Sequence, residues 1–152
     1  MNEQYFTSLF EGTISLTKDS PIMKEMIDKA ILEMDKVNTL YKIIGASILT
    51  SNGDIYSDHN LKHPRTCAET RAFDKMGTDR MDITDVVLVN KGWGSDTAVM
   101  PCGNCRWFFY KNAGKEKALN IMFWSFNSDG KLLSNETLRT LYPHANKTIK
   151  GY

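Results

Sequence analysis

Two short stretches carry residues that could do chemistry together. "TCAETRAF" supplies Cys67 and Glu69, and "MPCGNCRWF" supplies Cys102 and Cys105. These are the chain's 3 cysteines. Two cysteines three apart behind a proline suit a metal, because helix positions i and i+3 share a side and both thiolates can face one ion. A structural zinc normally takes four protein ligands, whereas a catalytic zinc takes three and leaves one position for water. Cys67 is the third thiol. Glu69 stands two residues beyond it. Two steps of about 100° on a regular helix turn Glu69 away from Cys67. With the chain just entering the helix, its carboxylate can lie beside the metal rather than on it. A carboxylate there can take a proton from water and deliver it to a substrate. The plainer readings are three buried thiols packed as small hydrophobes, a zinc closed by His59 or His63, and a glutamate favoured only by its place in a first helical turn.

These residues need elements to position them. "SPIMKEMIDKAILEMDKV" places Ile22, Met26, Ile27, Ala30, Ile31 and Met34 at helical spacing, with Ser20 as cap and Pro21 at the first position. "YKIIGASILT", "SNGD" and "IYS" predict a β-hairpin. "CAETRAFDKMG" reads as a helix ending at Gly77, and "ITDVVLVN" as a buried strand. A loop with Gly92, Trp93 and Gly94 leads to "PCGNCRWFFYKNAG", a second helix stopping at Gly114. "LNIMFWSF" is a strand, "NSDGKLL" a turn with a short strand, and "NETLRTLY" a last helix closed by Pro143. Strands alternating with helices imply a sheet with helices on its faces. Cys67 and the Cys102–Cys105 pair each open a helix after a strand. If those two strands are neighbours in the sheet, both helix starts meet at one sheet edge. Their positive ends then favour the thiolates that zinc requires.

The chain has 152 residues, enough for one domain with a hydrophobic core, and a formal net charge of +1. That balance gives no global footprint for nucleic acid. No apolar run approaches the ~20 residues of a membrane span, and the first residues show no signal-peptide pattern. Three cysteines make no disulfide framework and fit a reducing, cytoplasmic setting. A single domain over residues 1–152 is expected, with 1–19 an arm or short helix.

The paired motifs, in the order Cys-Ala-Glu then Pro-Cys-x-x-Cys, have the layout of zinc deaminases. They resemble the cytidine deaminase superfamily in its three-cysteine branch, which includes blasticidin S deaminases. "IIGASILTSNGDIYSDHN" is similar to the family's first hairpin, with Gly45-Ala46 and Asn60 at matching places, and "LYPHA" to its Leu-Leu-Pro segment. The resemblance runs from about Tyr41 to Ala145. It implies a three-layer α/β/α sandwich around a five-stranded mixed sheet. It also implies Zn²⁺ on Cys67, Cys102 and Cys105, with Glu69 as proton shuttle. Backbone groups around Ala68 and Met100 would hold the base, and Asn60 the sugar. Homo-oligomers, tetramers or dimers, are implied with it.

Several positions depart from the family. Its usual Cys-Ala-Glu-Arg has Thr70 in fourth place here, with Arg71 following, so Arg106 becomes the candidate to balance the thiolate charge. The family's Asn-x-Glu reads Asn60-Leu61-Lys62, and a lysine cannot accept hydrogen bonds from sugar hydroxyls. The phenylalanine that covers the base falls at Lys42, and a later aromatic near Asn146. Tyr41, Tyr142 and Tyr152 are candidate replacements. Lys42, Lys62, His63 and Arg65 add positive charge. The expected substrate is a cytidine-like small molecule, a blasticidin-like analogue, or one carrying an acidic group such as a nucleotide. The alternatives are cytosine in single-stranded DNA or RNA, and a non-catalytic zinc-stabilised module.

Overall fold

The computed structural model describes residues 16–37, 43–61, 67–77, 82–91 and 98–142. Helix α1 (Pro21–Met34) is followed by strands β1 (Ile43–Thr50) and β2 (Ile55–His59), then helix α2 (Ala68–Asp74). Strand β3 (Ile83–Lys91), helix α3 (Gly103–Asn112), a 3₁₀ turn (Ala118–Asn120), and strands β4 (Met122–Asn127) and β5 (Leu132–Thr137) complete the order. Residues 138–142 form a helical turn. The last strand is longer than the sequence suggests. Asn135, Glu136 and Thr137, expected in the final helix, instead pair with Trp124, Phe123 and Met122.

The five strands lie in the order β2-β1-β3-β4-β5. The β1–β2, β1–β3 and β4–β5 pairs are antiparallel, and β3–β4 is parallel. Period-two alternation gives each strand two different faces. Leu49, Val87, Val89, Trp124 and Phe126 meet the apolar stripe of α1, namely Ile22, Met23, Met26, Ile27, Ala30 and Met34. Ala46, Ile48, Val86, Leu88 and Phe123 meet Ala68, Ala72, Phe73 and Phe109 of α2 and α3. Two separate cores on the two sides of one sheet make the three-layer α/β/α sandwich.

Helix α1 sits unusually close to β1. A Cβ on Gly45 would fall 1.8 Å from the Ala30 carbonyl oxygen, and Ser47 Oγ donates to the Met26 carbonyl at 2.7 Å. Ser20 stands at the N-cap but makes no side-chain capping bond. Its hydroxyl accepts the Thr17 N–H at 3.0 Å, and its carbonyl accepts the first helical amides instead. Among the described residues no helix is long and apolar enough to cross a membrane.

Candidate functional site

The strands that lead into the two cysteine-bearing helices are not neighbours, contrary to the simplest expectation. β1 lies between β2 and β3. Because β1 is antiparallel to both, β2 and β3 run the same way and finish at the same sheet edge. The convergence of helix starts survives with one strand interposed. Cys67 is the N-cap residue of α2, and Cys102 that of α3, each with extended backbone.

All three cysteines arrive together. Their Sγ atoms lie within 4.8 Å of one another, with Cys102 and Cys105 3.7 Å apart. Cys105 is buried, Cys67 half-buried and Cys102 exposed. The three thiols ionise unequally. Hydrogen bonds from Cys105 and Cys67, together with the first-turn amides of Cys105 and Asn104, draw Cys102 down to about 2. The hydrogen bond to Cys102, with burial and the nearby Glu69 charge, pushes Cys67 up to about 12. Cys105 is pushed up by the same neighbours and by burial. Three thiolates at this spacing need a cation among them, and three soft sulfur donors fit Zn²⁺.

Glu69 lies beside this cluster, in the first turn of α2 and only 4 % exposed. Burial lifts its carboxyl above the usual carboxylate range, while hydrogen bonds from the Cys105 thiol and its own N–H pull the other way. A carboxyl so placed takes up a proton more readily than an exposed one. Thr70 Oγ1 donates to the Cys67 carbonyl at 2.9 Å, closing the first turn that carries both residues.

The remaining candidates fare differently. Ala68 is fully buried at the start of α2, and Met100 is half-buried just before Pro101. Asn60 extends the β1–β2 ladder beyond His59. Its N–H donates to the Ile44 carbonyl at 3.2 Å, and its Oδ1 accepts the Ile44 N–H at 2.9 Å. Arg106 donates from Nε to the Pro101 carbonyl at 2.7 Å and from Nη1 to that of Leu141 at 3.5 Å. Tyr142 stacks on Tyr110, centroids 4.4 Å apart. His59 does not join the sulfurs. Its Nδ1 lies 3.1 Å from Glu33 Oε1 and 3.3 Å from Asp58 Oδ1, so it does not supply the fourth ligand of a closed site. Lys42, Lys62, His63 and Arg65, with Tyr41, Trp93, Asn146 and Tyr152, lie outside the described residues.

Sequence reasoning missed one group entirely. Arg71 donates to Asp58 Oδ1 from Nε at 3.2 Å and from Nη2 at 3.1 Å. Lys75 Nζ lies 3.4 Å from Asp58 Oδ2. The network ties α2 to β2 and, through His59 and Glu33, to α1. The spacing of Arg71 and Lys75, one helical turn apart, was the available signal.

No family model matches the chain, and no curated protein matches it in sequence. Solved structures match it in shape. Cytidine deaminase from Burkholderia pseudomallei superposes with a TM-score of 0.63 at 20% identity, over 78% of this chain and 94% of that one. The chain shares its fold with cytidine deaminases. The enzyme from Mycobacterium leprae gives a TM-score of 0.58 at 21% identity, over 79% and 96% of the two chains. That from Mycobacterium tuberculosis gives 0.54 at 20%, over 79% and 93%. The cytidine deaminase fold thus spans nearly the whole length of these neighbours.

Proposed function

We propose that the chain is a zinc-dependent hydrolytic deaminase of an aminopyrimidine nucleoside or a close relative. The candidates are cytidine, deoxycytidine, a blasticidin-like analogue or an acidic derivative. One observation carries the reading: three sulfurs close enough to share one ion stand beside a buried, protonatable glutamate, at the meeting of two helix starts. A purely structural zinc gives no reason for that glutamate.

Cys67, Cys102 and Cys105 would hold Zn²⁺, which when bound supplies the Lewis acid that makes water a nucleophile at neutral pH. Glu69 accepts the proton that the attacking water gives up. It then protonates the ring nitrogen, as water adds to the carbon bearing the amine. A further proton passed through Glu69 lets the amine leave as ammonia. Burial suits Glu69 to this work, because a carboxylate with a raised pKa takes a proton more readily than an exposed one. Ala68 and Met100 would offer backbone groups to the base, and Asn60 with Lys62 would meet the sugar or an acidic substituent. Lys42 would lie near the base, and Arg106 would offset thiolate charge. A homodimer or homotetramer is part of the same reading.

The test is ammonia release by zinc-loaded protein. The panel is cytosine, cytidine, deoxycytidine, cytidine monophosphate, blasticidin S and a cytosine-bearing oligonucleotide, with Glu69→Ala as control. Release from a small molecule, lost in the control, is the expected result. Release from the oligonucleotide alone replaces the small-molecule reading, and release equal in the control overturns the role of Glu69.

A further inference from the structure

We propose that Ser125 is a positioning residue of the site, fixing the Met100 backbone for substrate; this rests on the deaminase reading above. The segment 98–101 carries the chain from the sheet edge into α3. Among the described residues it joins no strand ladder. Two side chains hold it instead. Ser125 Oγ accepts the Val99 N–H at 2.8 Å, and Arg106 Nε donates to the Pro101 carbonyl at 2.7 Å. Met100 lies between these two fastenings. Among the described residues its own N–H and C=O have no hydrogen-bond partner, and on the proposed reading they are the groups that meet the base.

Ser125 is an odd residue for its place. It is fully buried in the middle of β4, opposite Leu88 of β3, and next to Phe123 on the side that α2 and α3 cover. Burying a hydroxyl in such surroundings is costly without a partner. The Val99 N–H is the partner, and it too is buried. The bond reaches across 26 residues of sequence to fasten the one approach to the second cysteine motif that lacks regular structure. Without it, the peptide planes on either side of Met100 gain freedom, while the sulfur cluster and Glu69 keep their own supports on α2 and α3. The expected loss is therefore in substrate binding rather than in proton transfer.

Ser125→Ala and Ser125→Thr, zinc-loaded, provide the test. S125A raises KM roughly tenfold with kcat little changed, the signature of binding lost equally from ground state and transition state. S125T, which keeps an acceptor oxygen, recovers KM. In the cobalt-substituted protein the thiolate absorption is the same in S125A as in wild type. Should S125A fail to fold, Ser125→Cys, which fills the same space but offers only a weak acceptor, carries the same prediction. An unchanged KM overturns the proposal, as does a cobalt spectrum that shifts with the mutation. Amide exchange separates this proposal from the function itself. Exchange faster in S125A at Val99, but not along β3 and β4, supports the clamp even where wild type releases no ammonia from any compound. That silence then counts against the proposed function alone. Unchanged exchange overturns the clamp.

Discussion

Glu69 is where chemistry and position can be separated by one atom. Glu69→Gln keeps size and burial but cannot carry a proton. It is expected to lower kcat by about 10²–10⁴, with zinc content by mass spectrometry unchanged. Loss of zinc together with activity would make Glu69 a ligand rather than a shuttle. Lys62 calls for a different comparison. If the positive residues before Cys67 select an acidic substrate, Lys62→Ala lowers kcat/KM for cytidine monophosphate more than for cytidine. Equal turnover of both compounds, untouched by the mutation, removes that preference. The cysteines and Glu69 were legible in the sequence because their chemistry is rare and their spacing tied to helix geometry. Asn60 was legible only as a residue type, since nothing in one strand says that its side chain will bond back to Ile44. Ser125 left a faint trace, a small polar residue in the apolar run "FWSF". Its partner, 26 residues away, has no local signature.

At the level of elements, α2 is braced by charge as well as by its apolar face. Burial pushes the Asp58 carboxyl up, but the His59 N–H, Lys75 and Arg71 outweigh it, and it lies below its ordinary value. Burial also opposes ionisation of Glu33, and Lys36 and His59 outweigh it in the same direction. Both carboxyls thus bind protons more weakly folded than unfolded. Their contribution to stability is full above the unfolded values, near pH ~4, and is lost as pH falls through the folded ones. Urea melts across this window should show the loss. In Asp58→Asn with Glu33→Gln the slope should flatten, leaving only what the thiolates and other acids contribute. Asp58→Asn alone should cost on the order of 2 kcal/mol at pH 7, because Arg71 and Lys75 lose their charged partner. The seat of α1 gives a steric counterpart. Gly45→Ala drives a methyl against the Ala30 carbonyl, and should destabilise by about 3 kcal/mol or more in the same melts. The helices, the hairpin and the buried strand β3 were legible because each has a clear period or turn. Strand β5 was partly hidden, since "NETLRTLY" has helical spacing of its own, and pairing with β4 decides where the strand ends.

For the molecule as a whole, metal and fold should be thermodynamically linked. Chelation is expected to lower the melting temperature and to release three titratable thiols. Cys102, exposed and with its thiol drawn down to about 2, should react first with a disulfide reagent, and Cys102→Ser should remove that fast phase. A single kinetic phase for all three thiols would contradict their unequal ionisation. The order of the sheet could not be read from the order of the chain, because placing β1 between β2 and β3 is a matter of long-range pairing. That arrangement also has a consequence for synthesis. The ribosome makes both cysteine motifs before it makes β4, yet the approach to the second motif is fastened to Ser125 on β4. A nascent chain halted at Gly114 would therefore hold every sulfur and the glutamate, with the second motif still unmoored. On the proposed reading, capture of the metal in its finished geometry would wait until β4 has been made.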